Sequence, residues 1–201
     1  MRLILVRHGQ TNSNVNFLLD TAEPGAELDA SGLEQAARLV ERLSQHEIEA
    51  VYASTLVRTQ QTARPLAEHR GLELQVLPGL REIPAGEYEM SPQYEPYGSA
   101  LMAWGAGDLE ARVPGGENAH EFFARYDAAI AEIAQTGRQV VMVVSHGAAL
   151  RVWASRRIDG FNDAVRDAHL DNTSVIVADG SPEEGWKLAG LDGLMYYPEQ
   201  Q

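Results

Sequence analysis

Two apolar runs, far apart in the chain, end in the same way. Residues 3–6 run into Arg7-His8-Gly9, and residues 140–144 run into Ser145-His146-Gly147. An unbroken apolar run this short, bounded by polar residues and glycine, fits a strand buried on both faces. Such strands belong to parallel sheets covered by helices. In open sheets of that kind, ligands gather at the carboxyl ends of the strands. One histidine at a strand end is as often a packed, satisfied side chain as a reactive one. Two matched ends with arginines close by are harder to attribute to packing, and they restrict both the fold and the place where chemistry occurs.

The rest of the chain alternates in the same sense. Residues 31–45 repeat Leu33, Ala36, Val40 and Leu43 at helical spacing, with Ser31 as the expected N-cap and Glu34 three residues on. Residues 50–53 form a short strand. Residues 56–70 form a helix closed by Gly71, with a kink or break expected at Pro65. A short strand follows at 74–76, a helix at 118–133, the buried strand at 140–145 and a helix at 148–156. The last two strands are expected at 174–178 and 186–189, joined through Gly180-Ser181-Pro182. The pattern predicts an α/β, three-layer sandwich with a mostly parallel central sheet flanked by helices.

Residues 84–117 break the rhythm. They hold six glycines and four prolines, with Tyr88, Tyr94, Tyr97 and Trp104, and read as an irregular or partly helical, lid-like insertion into a single domain spanning 1–201.

Composition removes several functions. The chain has 201 residues, no cysteine and a net charge of −13. Thiolate metal sites, disulfides and cysteine nucleophiles are excluded, and so charged a chain lacks the basic footprint of a nucleic-acid or anionic-membrane binder. A small anion remains compatible, because local arginines set the field inside a cleft. No apolar run reaches the ~18 residues of a membrane span and no leader is evident, so a cytoplasmic location is expected. No metal-ligand spacing is present, and no metal or other cofactor is expected. His46, His69 and His120 read as solvated, as do Arg151, Arg156 and Arg157. His169 is left undecided between the cleft edge and the surface.

Two further segments carry chemistry. Ser54-Thr55-Leu56-Val57-Arg58-Thr59 places Arg58 one turn into the helix leaving the second strand, where it can join Arg7 in a clamp for phosphate oxygens. Leu80-Arg81-Glu82 offers a carboxylate at the expected end of the third strand, as a proton donor to a leaving group. Taken singly, Arg58 reads as a solvated helix arginine and Arg81-Glu82 as a surface pair.

Taken together, Arg7-His8-Gly9-Gln10-Thr11 with Asn14, Ser54 to Thr59, Leu80-Arg81-Glu82 and Ser145-His146-Gly147 resemble the four motifs of the histidine phosphatase superfamily, in its order. Pro114-Gly115-Gly116-Glu117 and Arg125 look like the segment before that family's penultimate helix. The resemblance implies a phosphohistidine mechanism. His8 is the nucleophile, held by a bond from its other ring nitrogen to a backbone carbonyl, that of Gly9. Arg7, Arg58 and His146 bind the phosphoryl oxygens, and Glu82 is the general acid and then base. Asn14, Thr11, Gly147 and Arg81 are candidate substrate contacts. Arginines nearby are expected to lower the pKa of both His8 and Glu82.

Three functions compete. A phosphatase for small phosphate esters leads. A cofactor-dependent phosphoglycerate mutase shares the core, but needs cations to hold a second anionic group, and residues 83–111 contain no Arg or Lys. A catalytically inactive binding module is weakest, since every chemical position is occupied. Departure from the commonest family pattern at Gly86-Glu87-Tyr88-Glu89-Met90 leaves specificity open, as does oligomeric state, monomer or homodimer.

Overall fold

A computed structural model describes residues 1–165 and 168–195. The expected domain's last residues, 196–201, lie outside the described residues. In chain order the elements are β1 (Arg2–Arg7), α1 (Asn12–Val15), α2 (Ala30–Arg42), β2 (Ala50–Ala53), α3 (Val57–Arg70), β3 (Leu74–Val76), α4 (Glu95–Ala106), α5 (Ala119–Gln135), β4 (Val140–Ser145), α6 (Gly147–Arg157), β5 (Ile158–Asp159), α7 (Phe161–Val165), β6 (His169–Ser181) and β7 (Gly185–Met195). Short 3-10 turns occupy Pro78–Leu80 and Gly86–Tyr88.

One seven-stranded sheet organises these elements, in the order β3-β2-β4-β1-β6-β7-β5. Strands β3, β2, β4 and β1 are parallel, as the buried runs predict. Strand β6 turns the sheet mixed: it pairs antiparallel with β1 and with β7. It runs thirteen residues where five were expected, because its polar N-terminal part, His169 to Thr173, carries no strand-like apolar signal.

Alternation along the central strands builds two cores. Leu3, Leu5, Val141 and Val143 point to one face, where they meet Phe122, Tyr126 and Ile130 of α5 and Leu150 and Trp153 of α6. Ile4, Val6, Met142 and Val144 point to the other, against Leu39 of α2 and Ala63 and Leu66 of α3. These β1 and β4 side chains are fully buried. Truncating one, Val143→Ala for instance, removes about 1–3 kcal/mol of stability through lost transfer and a cavity.

Two helices differ from expectation. Helix α2 starts one residue earlier than predicted and is capped by Asp29, whose carboxylate accepts from Gly32 N at 2.8 Å. Leu33 is half exposed, and the buried stripe runs through Ala36, Leu39 and Leu43. Helix α3 passes through Pro65 without a break and ends at Gly71 in the left-handed conformation, φ 64°. The 84–117 segment is anchored in the main core. Tyr97 and Trp104 of α4 are buried; Tyr97 donates to Ile83 O at 3.0 Å and Trp104 to Ala111 O at 2.7 Å.

Candidate active site

Register brings the two matched strand ends together. β1 and β4 pair so that Arg7 lies beside Ser145, and His8 N donates to Ser145 O at 3.0 Å. The next residue on each strand is a histidine, and the His8 and His146 rings meet edge-to-face with centroids 5.3 Å apart. Both are buried.

Arg58 bridges them. It enters from the first turn of α3 with its side chain only 3% exposed. Its Nε donates to His8 Nε2 at 3.1 Å, its Nη2 lies 3.3 Å from His146 Nδ1, and Nη2 also donates to Asp20 O at 2.7 Å. Asp20 Oδ1 sits 3.6 Å from Nη1. The other carboxylate oxygen of Asp20 is fixed by Ser13 Oγ at 2.8 Å and Ala26 N at 2.9 Å. Burial pulls the Arg58 pKa down while Asp20 and Glu82 hold it up. A guanidinium remains cationic under such opposing pressures.

The expected anchor of His8 is present: Nδ1 lies 2.8 Å from Gly9 O. A carbonyl can only accept, so Nδ1 carries the proton and Nε2 presents its lone pair. Burial first, then the Arg58 and Arg7 charges, pushes the His8 pKa well below its ordinary value, so the ring is neutral. For Glu82 the expected direction is reversed. Its carboxylate accepts from Ala149 N at 2.8 Å and Ala148 N at 3.1 Å at the start of α6, and from Ile83 N at 2.9 Å. These amides and Arg58 favour the ionised form, yet burial dominates and raises the pKa. Glu82 also lies in coil beyond the 3-10 turn, not at the end of β3.

These groups form the floor of a cleft of about 400 Å³. Arg7, His8, Asn14, Arg58, Glu82 and Gly147 line it, whereas His146 lies behind Arg58. Arg7 is aimed by its Nη1 bond to Leu170 O at 2.6 Å. Asn14 Oδ1 accepts from Thr11 N at 3.1 Å and Asn172 Nδ2 at 3.2 Å, which leaves the Asn14 amide NH2 as the donor available to a ligand.

The two glycines that follow the histidines serve different ends. A Cβ on Gly9 would lie 2.7 Å from Gly32 O, so this glycine lets the loop close against α2; its N–H donates to Thr62 Oγ1 and not to a ligand. A Cβ on Gly147 would press on Arg7 Nε at 3.0 Å, so this one leaves room for a guanidinium at the cleft.

Thr11 and Arg81 fall outside the cleft. Thr11 is buried as the N-cap of α1, bonded to Asn14 N at 3.2 Å. Arg81 is substantially exposed and pairs with Glu23 at 3.3 Å. Conversely, Arg151 and His169 line the cleft, so Arg151 is no mere surface residue. Arg151 Nη1 donates to Ala168 O, immediately before β6, which brings its side chain to the cleft. Arg125 gains a role too: it pairs with Glu117 and donates to the carbonyls of Gly79, Arg81 and Glu82, which fixes the backbone that carries the general-acid candidate. Among the described residues no group of three or more His, Asp or Glu is placed to hold a metal ion, and no helix is long and apolar enough to cross a membrane.

The cleft walls are of two kinds. One joins residues 17–21 to residues 85–97: Leu19 N donates to Ser91 O at 3.0 Å, Met90 N to Leu19 O at 2.8 Å, and Glu89 accepts from Thr21 N at 2.8 Å. It presents Phe17, Leu18, Pro92 and Tyr94. The other wall, from α6 and the start of β6, presents Arg151, His169, Asp171 and Asn172.

A profile of the histidine phosphatase superfamily (branch 1) matches residues 3–192. The chain belongs to that superfamily. Similar curated proteins include a PE-PGRS family protein of Mycobacterium tuberculosis, 35% identical over 96% of this chain; this chain spans only 36% of that protein's length. A probable phosphoglycerate mutase of Enterobacter sp. is 31% identical over 94% of this chain and 89% of its own. The adenosylcobalamin/alpha-ribazole phosphatase of Escherichia coli is 33% identical over 79% of each. The crystal structure of the alpha-ribazole phosphatase from Shigella flexneri is similar with a TM-score of 0.73, at 29% identity and 96% coverage of both chains.

Proposed function

We propose that this protein is a metal-independent phosphomonoesterase that hydrolyses small phosphate esters in the cytoplasm through a phosphohistidine on His8. One observation carries the reading. His8 is buried, neutral and locked by Gly9 O, and its Nε2 lone pair, at the floor of a cleft, accepts from Arg58 Nε, a donor that a phosphoryl oxygen can draw away.

In this scheme Arg7, Arg58 and the Asn14 amide hold the phosphoryl oxygens, and His146 Nδ1 reaches one of them once Arg58 Nη2 turns to the anion. His8 Nε2 displaces the ester oxygen in line, and the proton on Glu82 passes to the leaving alkoxide. Splitting the displacement into two steps is the gain from a covalent intermediate. Glu82, now a carboxylate, takes a proton from water as the water attacks phosphorus, and free phosphate leaves. The guanidinium charges stabilise the oxygens of the loose transition state. The raised pKa of Glu82 suits it to start protonated, and the lowered pKa of His8 suits it to start neutral.

The substrates proposed carry an apolar or aromatic group next to the phosphate. The wall built by Phe17, Leu18, Pro92 and Tyr94 supports this, with Phe17 77% exposed and Tyr94 58% exposed at the mouth. Related proteins named as phosphatases support the hydrolase reading. Arg151 in the polar wall of the cleft favours a second reading, a mutase that keeps a second anionic group. Incubation with 3-phosphoglycerate separates the two: the hydrolase releases free phosphate, and a mutase makes 2-phosphoglycerate without it. Turnover of p-nitrophenyl phosphate, lost in His8→Ala, tests the first reading; full activity of that variant contradicts it.

A further inference from the structure

Behind the cleft, His146 is held by a pair of hydroxyls to which no catalytic role has been assigned. His146 Nε2 lies 2.8 Å from Ser54 Oγ, and Ser54 Oγ lies 3.0 Å from Thr59 Oγ1. Ser54, Thr59 and His146 are all fully buried, so no water competes for these bonds.

The direction of each proton follows by elimination. Thr59 Oγ1 is 2.8 Å from Leu56 O and 3.1 Å from Ser54 O, which can only accept. The Thr59 proton is therefore committed to a carbonyl, and Thr59 accepts from Ser54. With its own proton directed to Thr59, Ser54 Oγ accepts from Leu56 N at 3.2 Å and from His146 Nε2. The far side of the ring agrees. Arg58 Nη2 can only donate, and it lies 3.3 Å from His146 Nδ1, so Nδ1 carries a lone pair. The opposite tautomer would set two buried donors against each other.

We propose that Ser54 and Thr59 are positioning residues that hold His146 as its Nε2–H tautomer, so that Nδ1 stays vacant in the free enzyme and takes up a proton when a phosphoryl anion binds. The inference rests on the phosphate-binding reading of the cleft. As the anion draws the Arg58 Nη2–H toward itself, His146 Nδ1 loses its donor. A proton arriving from solvent or from the monoanionic ligand then sits on Nδ1 and bonds to a phosphoryl oxygen, while Nε2–H remains on Ser54 Oγ. The ring becomes an imidazolium only in the presence of the compensating negative charge.

The charges around the ring support the neutral free state. Burial first, then Arg58, His8, Arg125 and Arg7, lowers the His146 pKa well below the ordinary value, so the ring is uncharged at neutral pH until an anion offsets those cations.

The test is 15N NMR of ring-labelled His146 in the full chain at pH 7, with inorganic phosphate as probe. The expected free enzyme shows a proton on Nε2 and none on Nδ1, and saturating phosphate gives protons on both. A free enzyme with the proton on Nδ1, or a ring unchanged by bound phosphate, overturns the proposal. Thr59→Val removes the acceptor for the Ser54 proton, freeing Ser54 to donate to Nε2. It should shift the free enzyme toward the Nδ1–H tautomer and weaken phosphate binding by about tenfold, the scale of one buried hydrogen bond. Thr59→Ser should restore the wild-type spectrum, which loss of packing alone would not produce. An unchanged tautomer in Thr59→Val contradicts the relay. Loss of p-nitrophenyl phosphate turnover with an intact NMR signature, by contrast, would count against the phosphatase reading and not against this one.

Discussion

The floor and the mouth of the cleft are built by different physics. At the floor and just behind it, His8, Arg58, Glu82 and His146 are buried, and each is fixed by at least two partners. Those partners are one another's side chains together with backbone groups just beyond β1 and at the start of α6, which the sheet register places. At the mouth, Phe17 and Tyr94 are exposed; Phe17, and Met90 in the loop bonded to Leu19, are non-glycine residues at φ 55° and 58°. Backbone in that region costs roughly 1–3 kcal/mol per residue and persists where neighbours over-determine it. Here the bonds between Leu19, Met90 and Ser91 do so. The contrast teaches that the candidate reacting groups are held at the edge of the sheet, whereas the exposed contacts proposed for selectivity come from loops.

Substitutions at the floor should be severe and insensitive to the ester used. Arg58→Ala removes the bridge to both histidines and should lower kcat by about 10³-fold, at the upper end for a lost transition-state donor. Steady-state kinetics on several esters checks that the loss is uniform. Glu82→Gln should cost about 10²–10³-fold with poor leaving groups and far less with p-nitrophenyl phosphate, whose leaving group needs no proton. The same residue sets the alkaline limb of the pH profile. Activity should fall as pH rises through the raised Glu82 pKa, because the acid form is lost. It should fall on the acid side only below the lowered His8 pKa, where the nucleophile becomes protonated. A Glu82→Gln profile that keeps the alkaline limb would assign that limb to another group.

Mouth substitutions should act on KM and depend on the ester. Combining Phe17→Ala with Tyr94→Ala should raise KM for naphthyl phosphate about tenfold, the scale of a lost apolar contact patch, while KM for glycerol phosphate moves little. Equal effects on both esters would remove the distinction between floor and mouth. Arg81→Ala should change kcat/KM by less than about twofold, since an exposed pair with Glu23 is worth little.

Legibility in the sequence divides along the same line. The β1 and β4 ends were readable because continuous apolar runs report burial on both faces, and the matched His-Gly endings mark the functional edge. Arg58 and Glu82 were readable through their motifs. Thr11 and Arg81 looked like ligand contacts because they neighbour such residues in sequence, but a helix cap and a surface pair account for them. Asp20, Arg151 and Arg125 were not readable as parts of the site. Their roles arise from packing between segments 38 to 46 residues apart for Asp20 with Arg58 and Arg125 with Gly79, and no local pattern reports that. The rise in the Glu82 pKa was missed for a related reason. Its burial depends on α6 closing over it, so the desolvation that outweighs the arginine charge exists only in the fold.

Rapid quench during turnover of p-nitrophenyl phosphate, followed by peptide mass spectrometry under alkaline conditions that preserve phosphohistidine, tests the central claim most directly. One phosphoryl group on the peptide containing His8, absent from His8→Ala and accumulating in Glu82→Gln with a good leaving group, is the predicted result. Steady release of phosphate with no adduct on His8, or turnover retained by His8→Ala, would contradict it.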